Sequence, residues 1–304
     1  MQCKSKVEIH NGFTLIEISI VIVVIGLLLS GILVGKSLIE TAALRSAITQ
    51  IESYQVAVNT FQLKFNCLPG DCKNASQFGL PAGGTRPGER DGNGLIQGYY
   101  SFPGDEGAYG TMSFYGEGGL FFTDLSKAGL INETFNATLN QSDLNQIEET
   151  QDPQYYVPRL KNLSGSHISV NSGVYPYGVN QFTISKILDL YDQFWAQAPD
   201  MDAEPSLTSA QAYYIDSKID DGLPQHGKVT AQYLNTFYNW WAGGFYAPGG
   251  AYDDITDGPT TEATPMTLNT CYDNNNVAGA VMRYSRNEYD ESGRPNCALS
   301  FWMR

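Results

Sequence analysis

The stretch GFTLIEISIVIVVIGLLLSG, residues 12–31, decides how the N-terminal part of this 304-residue chain folds. From Phe13 to Val34 the only ionisable side chain is that of Glu17, and a helix over these residues is about 33 Å long. That length is enough to cross a lipid bilayer. A secretory signal peptide has a shorter apolar run that ends at a small-residue cleavage site, and this run is longer and lacks an A-x-A ending. We therefore expect one membrane-spanning helix.

The helical pattern continues beyond the apolar stretch. No proline occurs between Phe13 and Pro69, and apolar residues recur at heptad spacing along the segment before Pro69. One heptad row and its flank consist of Leu44, Ile51, Val58, Phe65, Ala47, Tyr54 and Phe61. We expect one continuous helix whose first half is apolar all round. Its second half is apolar along one stripe, which needs a cover.

The stretch GFTLIE, residues 12–17, resembles the processing site of type IV prepilins and of the pseudopilins of type II secretion systems. The motif of that family is a glycine, an N-methylated phenylalanine and a glutamate four residues later, leading directly into an apolar helix. Gly12, Phe13 and Glu17 match these positions. The resemblance implies that a membrane prepilin peptidase cuts between Gly12 and Phe13, removes the leader 1–12 and methylates the new amine of Phe13.

Two stretches after the stem also resemble segments of bacterial pilin-like proteins. In FQLKFNCLPGDCKNASQFG, residues 61–79, and GEGGLFFTDLSKAGLI, residues 116–131, a Leu-Pro-Gly-Asp turn ends the stem and a short helix follows. The resemblance implies an α+β fold, with a long N-terminal helix packed on an antiparallel β-sheet head that has extra helices. The expected parts are the leader 1–12, a transmembrane or filament-core helix 13–35, an amphipathic stem helix 36–66 and a globular head 67–304.

The carboxylate of Glu17 needs an explanation, because a charged side chain in an apolar membrane helix is costly unless it has a partner. Cleavage after Gly12 would create a positive amine on Phe13. That amine lies too close along its own helix to pair with Glu17 in good geometry. We therefore expect Glu17 to pair with the amine of a neighbouring subunit and to set the axial register of a filament. The alternative is that Glu17 only reaches the headgroups, since it lies about 6 Å into the helix.

The cysteines indicate disulfide bonds in the head. Removal of the leader takes Cys3 away, and the four that remain allow three connectivities in a compartment that we expect to be oxidising. Cys67 and Cys72 bracket a Leu-Pro-Gly-Asp stretch suited to a type II turn, which favours a bond between them. A bond between Cys271 and Cys297 is implied by the resemblance, because many pilins close a C-terminal loop in this way. The chain has only three histidines, which disfavours a metal site.

The remaining part of the head is interpreted without help from the family. Residues 180–198 carry apolar side chains at helical spacing, and residues 208–222 open with a capping-box spacing at Thr208, so each stretch predicts a helix. Residues 276–285 and 296–304 are short apolar runs that suit antiparallel strands. A sheet built from such strands would cover the apolar stripe of the stem.

Two acidic loops contain the residue types that bind calcium. Their candidate ligands are Asp91 and Asn93 in ERDGNG, residues 89–94, and Asp216, Asp220 and Asp221 in IDSKIDDG, residues 215–222. Neither loop has the full spacing of a calcium-binding loop. Asp and Asn also favour turns, because their side chains accept hydrogen bonds from nearby backbone amides. We therefore expect turns in both places, and we expect no cofactor.

Composition and motifs argue against two classes of function. The chain has 32 acidic and 18 basic residues, a net charge of −14, which disfavours nucleic acid as a partner. His167 and His226 have no nearby nucleophile motif such as G-x-S-x-G, and no glycine-rich phosphate loop follows a predicted strand. We therefore expect no enzymatic activity.

The residues and the resemblance together predict a structural subunit of a type IV pilus-like or type II secretion filament. Its expected partners are other pilin or pseudopilin subunits, the prepilin peptidase, an inner-membrane assembly platform and the lipid bilayer. It would reside in the bacterial inner membrane as a single-pass protein with its C-terminal head in the periplasm, and then in a filament that can reach the cell surface. The length of the chain favours a minor or specialised subunit. The alternative is a membrane-tethered extracellular binding protein or adhesin that does not polymerise.

Overall fold

The first element of the fold is a single long helix. In a computed structural model of the chain, α1 runs from Leu15 to Phe65 over 51 residues, so the predicted continuous helix is confirmed. The chain divides into two compact units, Met1–Ala43 and Leu44–Arg304, and the division falls within α1. The structure describes residues 14–83, 90–98, 116–136, 152–163, 165–173, 178–192, 200–235, 238–242, 271–273, 280–285 and 295–303.

The described part of the first unit is an exposed apolar helix. Its most apolar 18-residue window has a mean hydropathy of 2.9, and none of that window is buried. Within the described ranges, α1 is the one helix that is long and apolar enough to cross a membrane, judged by length and composition. Leu15, Leu27 and Leu33 are each at least 70% exposed. Because water is a poor solvent for such a surface, this segment requires a bilayer or other apolar helices around it.

The apolar stripe of the stem is buried, as the heptad spacing predicts. Its buried members are Leu44, Ala47, Ile51, Tyr54, Val58 and Phe61, and Phe65 is partly buried. The Tyr54 ring lies 5.5 Å from the Phe122 ring and 6.4 Å from the Phe182 ring, measured between centroids. The stem within the second unit is therefore part of the core of the head.

The head is an α+β arrangement, as expected. Its main antiparallel sheet has the order β1 (His167–Gly173), β2 (Val179–Asp192), β9 (Leu299–Trp302) and β4 (Val229–Thr230), and β3 (Asp200–Glu204) also pairs with β2. Two smaller pairs are β5 (Gln232–Asn235) with β6 (Tyr238–Trp241), and β7 (Tyr272–Asp273) with β8 (Arg283–Tyr284). The helices are α2 (Glu117–Lys127) and α3 (Ser209–Ile219), with 3-10 helices at Ala75–Phe78 and Pro153–Tyr155.

The two faces of the main sheet differ in polarity. The apolar face, which joins the stem in one core, carries Ile168, Val170, Phe182, Ile184, Leu299 and Phe301. The opposite face carries buried polar side chains that bond to one another. Asn171 Nδ2 donates to Thr183 Oγ1 at 3.2 Å, and the hydroxyl oxygens of Thr183 and Ser300 lie 3.0 Å apart. The two-residue period of the strands therefore directs the apolar set toward the stem.

The helix predicted over residues 180–198 is wrong, because the described part of this stretch lies in β2. Along β2, Phe182 and Ile184 alternate with Thr183 and Ser185, and all four are buried. Strands β1 and β9 pair with this half of β2, one on each side, so its backbone groups are satisfied within the sheet. Tertiary pairing thus outweighs the helical spacing of the apolar residues. Residues 193–198 lie outside the described residues.

The helix predicted over residues 208–222 is confirmed as α3, whereas the predicted C-terminal strands differ in extent and in pairing, and residues 276–279 lie outside the described residues. Thr208 Oγ1 accepts from Gln211 N at 3.2 Å, and Thr208 N donates to Gln211 Oε1 at 3.0 Å, which is the capping box that starts α3. Strands β8 and β9 lie within the two C-terminal apolar runs. They do not pair with each other, because β2 and β4 occupy the two edges of β9 and β8 pairs with β7.

Candidate functional site

The start of α1 is held by Thr14 and Glu17. Thr14 donates from its backbone N and from Oγ1 to Glu17 Oε2, both at 2.8 Å, and Glu17 N donates to Thr14 Oγ1 at 3.3 Å. This reciprocal arrangement is a capping box, which satisfies donors that would otherwise lack partners at a helix start. The Thr-x-x-Glu spacing within GFTLIE is the sequence signal for this capping box, which was not among the predictions from the sequence.

Glu17 therefore has a local role at the start of α1, in addition to the predicted role between subunits. Both bonds from Thr14 end on Oε2, and the capping box does not use Oε1. Gly12 and Phe13 lie outside the described residues, so cleavage between them and pairing of the Phe13 amine with Glu17 stay predictions.

The stem ends in a tight turn that a disulfide closes. Asp71 N donates to Leu68 O at 3.2 Å and Gly70 has φ +83°, which agrees with the type II turn expected for Leu-Pro-Gly-Asp. Cys67 and Cys72 form a disulfide around this turn, with their Cα atoms 5.3 Å apart. This is the pairing that the turn residues favour. The turn begins at Leu68, three residues after the end of α1 at Phe65.

A buried ion pair fastens the turn to α2. Arg90 Nη2 donates to Asp124 Oδ1 and Arg90 Nη1 donates to Asp124 Oδ2, both at 2.7 Å, and the two side chains are 2% and 0% exposed. Asp124 Oδ2 also accepts from Gly70 N at 2.7 Å. A Cβ atom on Gly70 would overlap the carbonyl oxygen of Glu117. The turn thus requires glycine at this position for its backbone conformation and for its close approach to α2.

Two buried carboxyl groups organise the loop 90–97. Glu117 accepts from three backbone amides of this loop at 2.9 to 3.1 Å, and Asp71 accepts from two at 2.6 and 2.8 Å. Burial and the neighbouring carboxyl of Asp71 raise the pKa of Glu117 to about 9. Burial also raises the pKa of Asp71. Both residues are 20 or more positions from their partners in the loop, so no local sequence pattern connects them with it.

The first pair of calcium candidates takes part in the turns of this loop. Asn93 donates from its backbone N and from Nδ2 to Asp91 at 2.9 and 3.0 Å, and Asn93 Oδ1 accepts from Leu95 N at 2.7 Å. The two bonds from backbone amides, those of Asn93 N and Leu95 N, are the ones expected of turn residues. Carboxylate oxygens of Asp91, Asp71 and Glu117 also lie within 4.8 Å of one another. These three carboxyl groups meet where the turn 68–71, the loop 90–97 and α2 contact one another, a region that we call the stem junction.

The second group of calcium candidates lies at the end of α3. Asp216 accepts from Gly222 N at 3.2 Å and from the Tyr284 hydroxyl at 2.9 Å. Asp220 accepts from two backbone amides of the loop 222–229, and Asp221 accepts from one at 2.8 Å. Carboxylate oxygens of the three aspartates lie within 4.8 Å of one another. Burial raises the pKa of Asp216 to about 7.

The second disulfide lies in the core of the head. It joins Cys271, directly before β7, to Cys297, two residues before β9, and both side chains are fully buried. Cys297 also exchanges backbone hydrogen bonds with Leu207, at 2.7 and 2.8 Å. This pairing is the one that the resemblance implied. It ties the small β7 and β8 pair to the main sheet.

The N-terminal segment carries a recognised family motif. Residues 10–33 match the family model described as the prokaryotic N-terminal methylation motif, and this range includes Gly12, Phe13 and Glu17. The motif is the signature of type IV pilins and pseudopilins. It indicates a structural protein rather than an enzyme. No curated protein and no solved structure matches the chain.

Proposed function

We propose that this protein is a minor or specialised subunit of a type IV pilus-like or type II secretion filament, assembled through its N-terminal helix. The observation that carries the proposal is the methylation motif of residues 10–33, within which α1 begins, together with the exposed apolar segment of that helix. A bilayer covers such a segment before assembly, and the same segments of other subunits cover it in a filament. Processing requires a prepilin peptidase, and assembly requires an inner-membrane platform.

The proposed organisation follows the order of the chain. The leader 1–12 is removed on the cytoplasmic side, the helix 13–35 remains in the membrane, and the stem 36–66 continues into the head 67–304 in the periplasm. The two disulfides support this placement of the head, because structural disulfides persist in oxidising compartments. The filament interface is heterologous and does not close, so identical contacts can repeat along an axis.

In the filament, the Glu17 carboxylate accepts a hydrogen bond from the positively charged Phe13 amine of a neighbouring subunit and forms an ion pair with it. The capping box supports this role, because it orients the carboxylate at the first turn of α1 and does not use Oε1. An amine that approaches along the filament axis can bind that oxygen without breaking the box. This desolvated ion pair would then set the axial register between neighbouring subunits.

The test compares three variants of the full chain, expressed at equal levels in cells that assemble the filament. Glu17→Gln removes the charge and preserves a capping box, since glutamine serves at the same position. Thr14→Ala removes the threonine side chain of the box and keeps the charge. Glu40→Gln is the matched control, because it is the same substitution on the same helix outside the apolar segment. The measurement is the ratio of processed chain in sheared filaments to processed chain in membranes.

We expect Glu17→Gln to lower this ratio about tenfold or more, because it strands the neighbouring amine in a desolvated site. Glu40→Gln should leave the ratio unchanged, and Thr14→Ala should lower it less than Glu17→Gln does. An unchanged ratio for Glu17→Gln would contradict the proposed pairing. Loss of cleavage in that variant would move the role of Glu17 from assembly to recognition by the peptidase.

Processing has its own test. Gly12→Glu should keep the full-length precursor in the inner membrane, because the peptidase is expected to require a small residue there. The same mature N-terminus at Phe13 in this variant would contradict the processing step. A chain that starts at Phe13 in membranes and never enters sheared filaments would instead support the tethered binding protein.

A further inference from the structure

The two disulfides of the head differ in their access to solvent. Cys67 is partly exposed, and its partner Cys72 is 1% exposed. Cys271 and Cys297 are both 0% exposed, so the bond between them is closed to solvent in the folded head. A thiol can attack a disulfide only where it reaches one of the two sulfur atoms. As long as the head stays folded, the bond between Cys67 and Cys72 is therefore the more accessible of the two.

The accessible disulfide encloses the turn 68–71, which bonds to the other segments of the stem junction. Gly70 lies in this turn, and its backbone N donates to Asp124 Oδ2 in α2 at 2.7 Å. The carbonyl oxygen of Gly70 accepts from Arg90 Nη1 at 3.3 Å. One glycine thus contacts both members of the buried ion pair, and its position depends on the turn that the disulfide closes.

The next residue, Asp71, holds the loop 90–97. Its carboxylate is buried, and it accepts from Gly92 N at 2.6 Å and from Gly94 N at 2.8 Å. An ionised carboxylate in a buried site is costly unless it is bonded, so Asp71 is favourable there only while the turn and the loop stay in place. Once the turn is free to move, water competes with the loop amides for this carboxylate.

We propose that the bond between Cys67 and Cys72 is a redox-sensitive clamp on the stem junction. A dithiol reduces it in the folded head, and reduction loosens the contacts that Gly70 and Asp71 make with α2 and with the loop 90–97. The fully buried second disulfide stays closed under the same conditions. In an oxidising compartment the closed clamp is the resting state. The proposal does not depend on filament assembly, because all these residues belong to the second compact unit.

The chemical step is a thiol–disulfide exchange. One thiolate of the dithiol attacks Sγ of Cys67, the sulfur of the more exposed residue, and the bond between the two sulfurs of the chain breaks. Cys72 takes the electron pair as a thiolate and then binds a proton. The second thiolate of the dithiol attacks the mixed disulfide and releases Cys67, which also binds a proton. The dithiol is thereby oxidised to a disulfide, and two electrons and two protons reach the chain.

The first experiment measures access to the two disulfides. The full chain, purified in detergent and kept folded, is incubated with dithiothreitol. Samples taken at intervals are quenched with acid, unfolded, alkylated and mapped by mass spectrometry, so that every reduced cysteine is counted. We expect the bond between Cys67 and Cys72 to be reduced about tenfold faster or more than the bond between Cys271 and Cys297. Equal rates, the opposite order, or free thiols at Cys67 and Cys72 before reduction would overturn the proposal.

The second experiment measures what reduction does to the stem junction. Hydrogen–deuterium exchange compares the amides of the loop 90–97 with those of residues 181–185 in β2, which pairs with a strand on each side. We expect the loop amides to exchange about tenfold faster or more after selective reduction, because the closed disulfide no longer restrains opening of the turn. The amides of β2 should not change. Unchanged exchange in the loop, or an equal rise in the loop and in β2, would overturn the proposal.

Three variants test the route through Asp71. The double variant Cys67→Ser with Cys72→Ser should exchange like the reduced wild type and should not respond to dithiothreitol. Asp71→Asn leaves the disulfide intact and replaces one acceptor oxygen by an amide group, so the loop should exchange faster even in the oxidised chain. Asp152→Asn is the matched control, because it makes the same change at an aspartate that bonds to Gln154 and Arg159, outside the stem junction.

Reduction should accelerate exchange of the loop by a smaller factor in Asp71→Asn than in the wild type, because both changes act on the same contacts. Asp152→Asn should respond to reduction as the wild type does. The proposal is overturned if the double cysteine variant exchanges like the oxidised wild type, or if reduction accelerates the loop by the same factor in Asp71→Asn as in the wild type.

Discussion

The substitution Asp124→Asn should destabilise the head far more than the same substitution at Asp152. Each aspartate pairs with an arginine at 2.7 Å, so the two ion pairs have the same length and differ in burial. The Arg90 and Asp124 side chains are 2% and 0% exposed, whereas those of Arg159 and Asp152 are 50% and 34% exposed. The comparison therefore isolates the effect of burial on one chemical change.

The expected magnitudes follow from that difference in burial. Asp124→Asn leaves the Arg90 guanidinium buried without its counter-charge and turns an amide NH2 toward one of its donors, which commonly costs about 3 to 5 kcal/mol. The exposed pair contributes about 0 to 1 kcal/mol, because water screens both charges. Asparagine also preserves the bond that Asp152 accepts from Gln154 N at the start of the short 3-10 helix. We expect the two variants to differ by about 2 kcal/mol or more.

The assay is urea unfolding of the full chain in detergent, followed by tryptophan fluorescence. All four tryptophans lie between residues 195 and 302, so the signal reports on the head. The double variant Arg90→Met with Asp124→Leu leaves no stranded charge and should recover more than half of the loss caused by Asp124→Asn. Equal unfolding free energies for Asp124→Asn and Asp152→Asn, within about 0.5 kcal/mol, would refute the reasoning.

Three further predictions concern the head. Gly70→Ala should cost more than Gly94→Ala in unfolding free energy, because both glycines have positive φ and only at Gly70 would a Cβ meet the backbone of α2. Peptide mapping without reduction should recover Cys271 linked to Cys297, and replacing both by serine should cost about 3.5 kcal/mol for a separation of 26 residues. The pKa of Asp216 is raised from 3.8 to about 7, so its stabilising effect is complete below about pH 4 and is lost as the pH rises through about 7. Asp216→Asn should flatten that fall in the pH profile of the unfolding free energy.

The sequence predicted the elements that depend on local chemistry. The heptad row from Leu44 to Phe65 identified the stem stripe, because a helix repeats its face regardless of what covers it. The capping box at Thr208 and the turn before Cys72 could also be predicted from the sequence, since their donors and acceptors lie within a few residues of each other. The helix predicted over 180–198 failed because strand pairing from distant segments decides the conformation there.

The stem junction could not be predicted, because its contacts join distant parts of the chain. Asp124 bonds to Arg90 and Gly70 across 34 and 54 residues, and Glu117 bonds to the loop 90–97 across 20 to 27 residues. A single sequence shows no spacing that connects such positions. From the sequence, only the acidic loop around Asp91 could be identified. The fold then supplied the two buried carboxyl groups that hold this loop.

The capping box changes how the charge of Glu17 should be understood. A helix whose chain starts at Phe13 places a positive amine beside its own N-terminus, where the helix dipole already disfavours positive charge. Glu17 offsets that dipole and bonds to Thr14 within a single subunit, so the residue is useful before any filament forms. Glutamine can supply the same bond without the charge. The capping role therefore explains an acceptor at this position. The negative charge offsets the helix dipole and, in the filament that we propose, would also pair with the amine of another subunit.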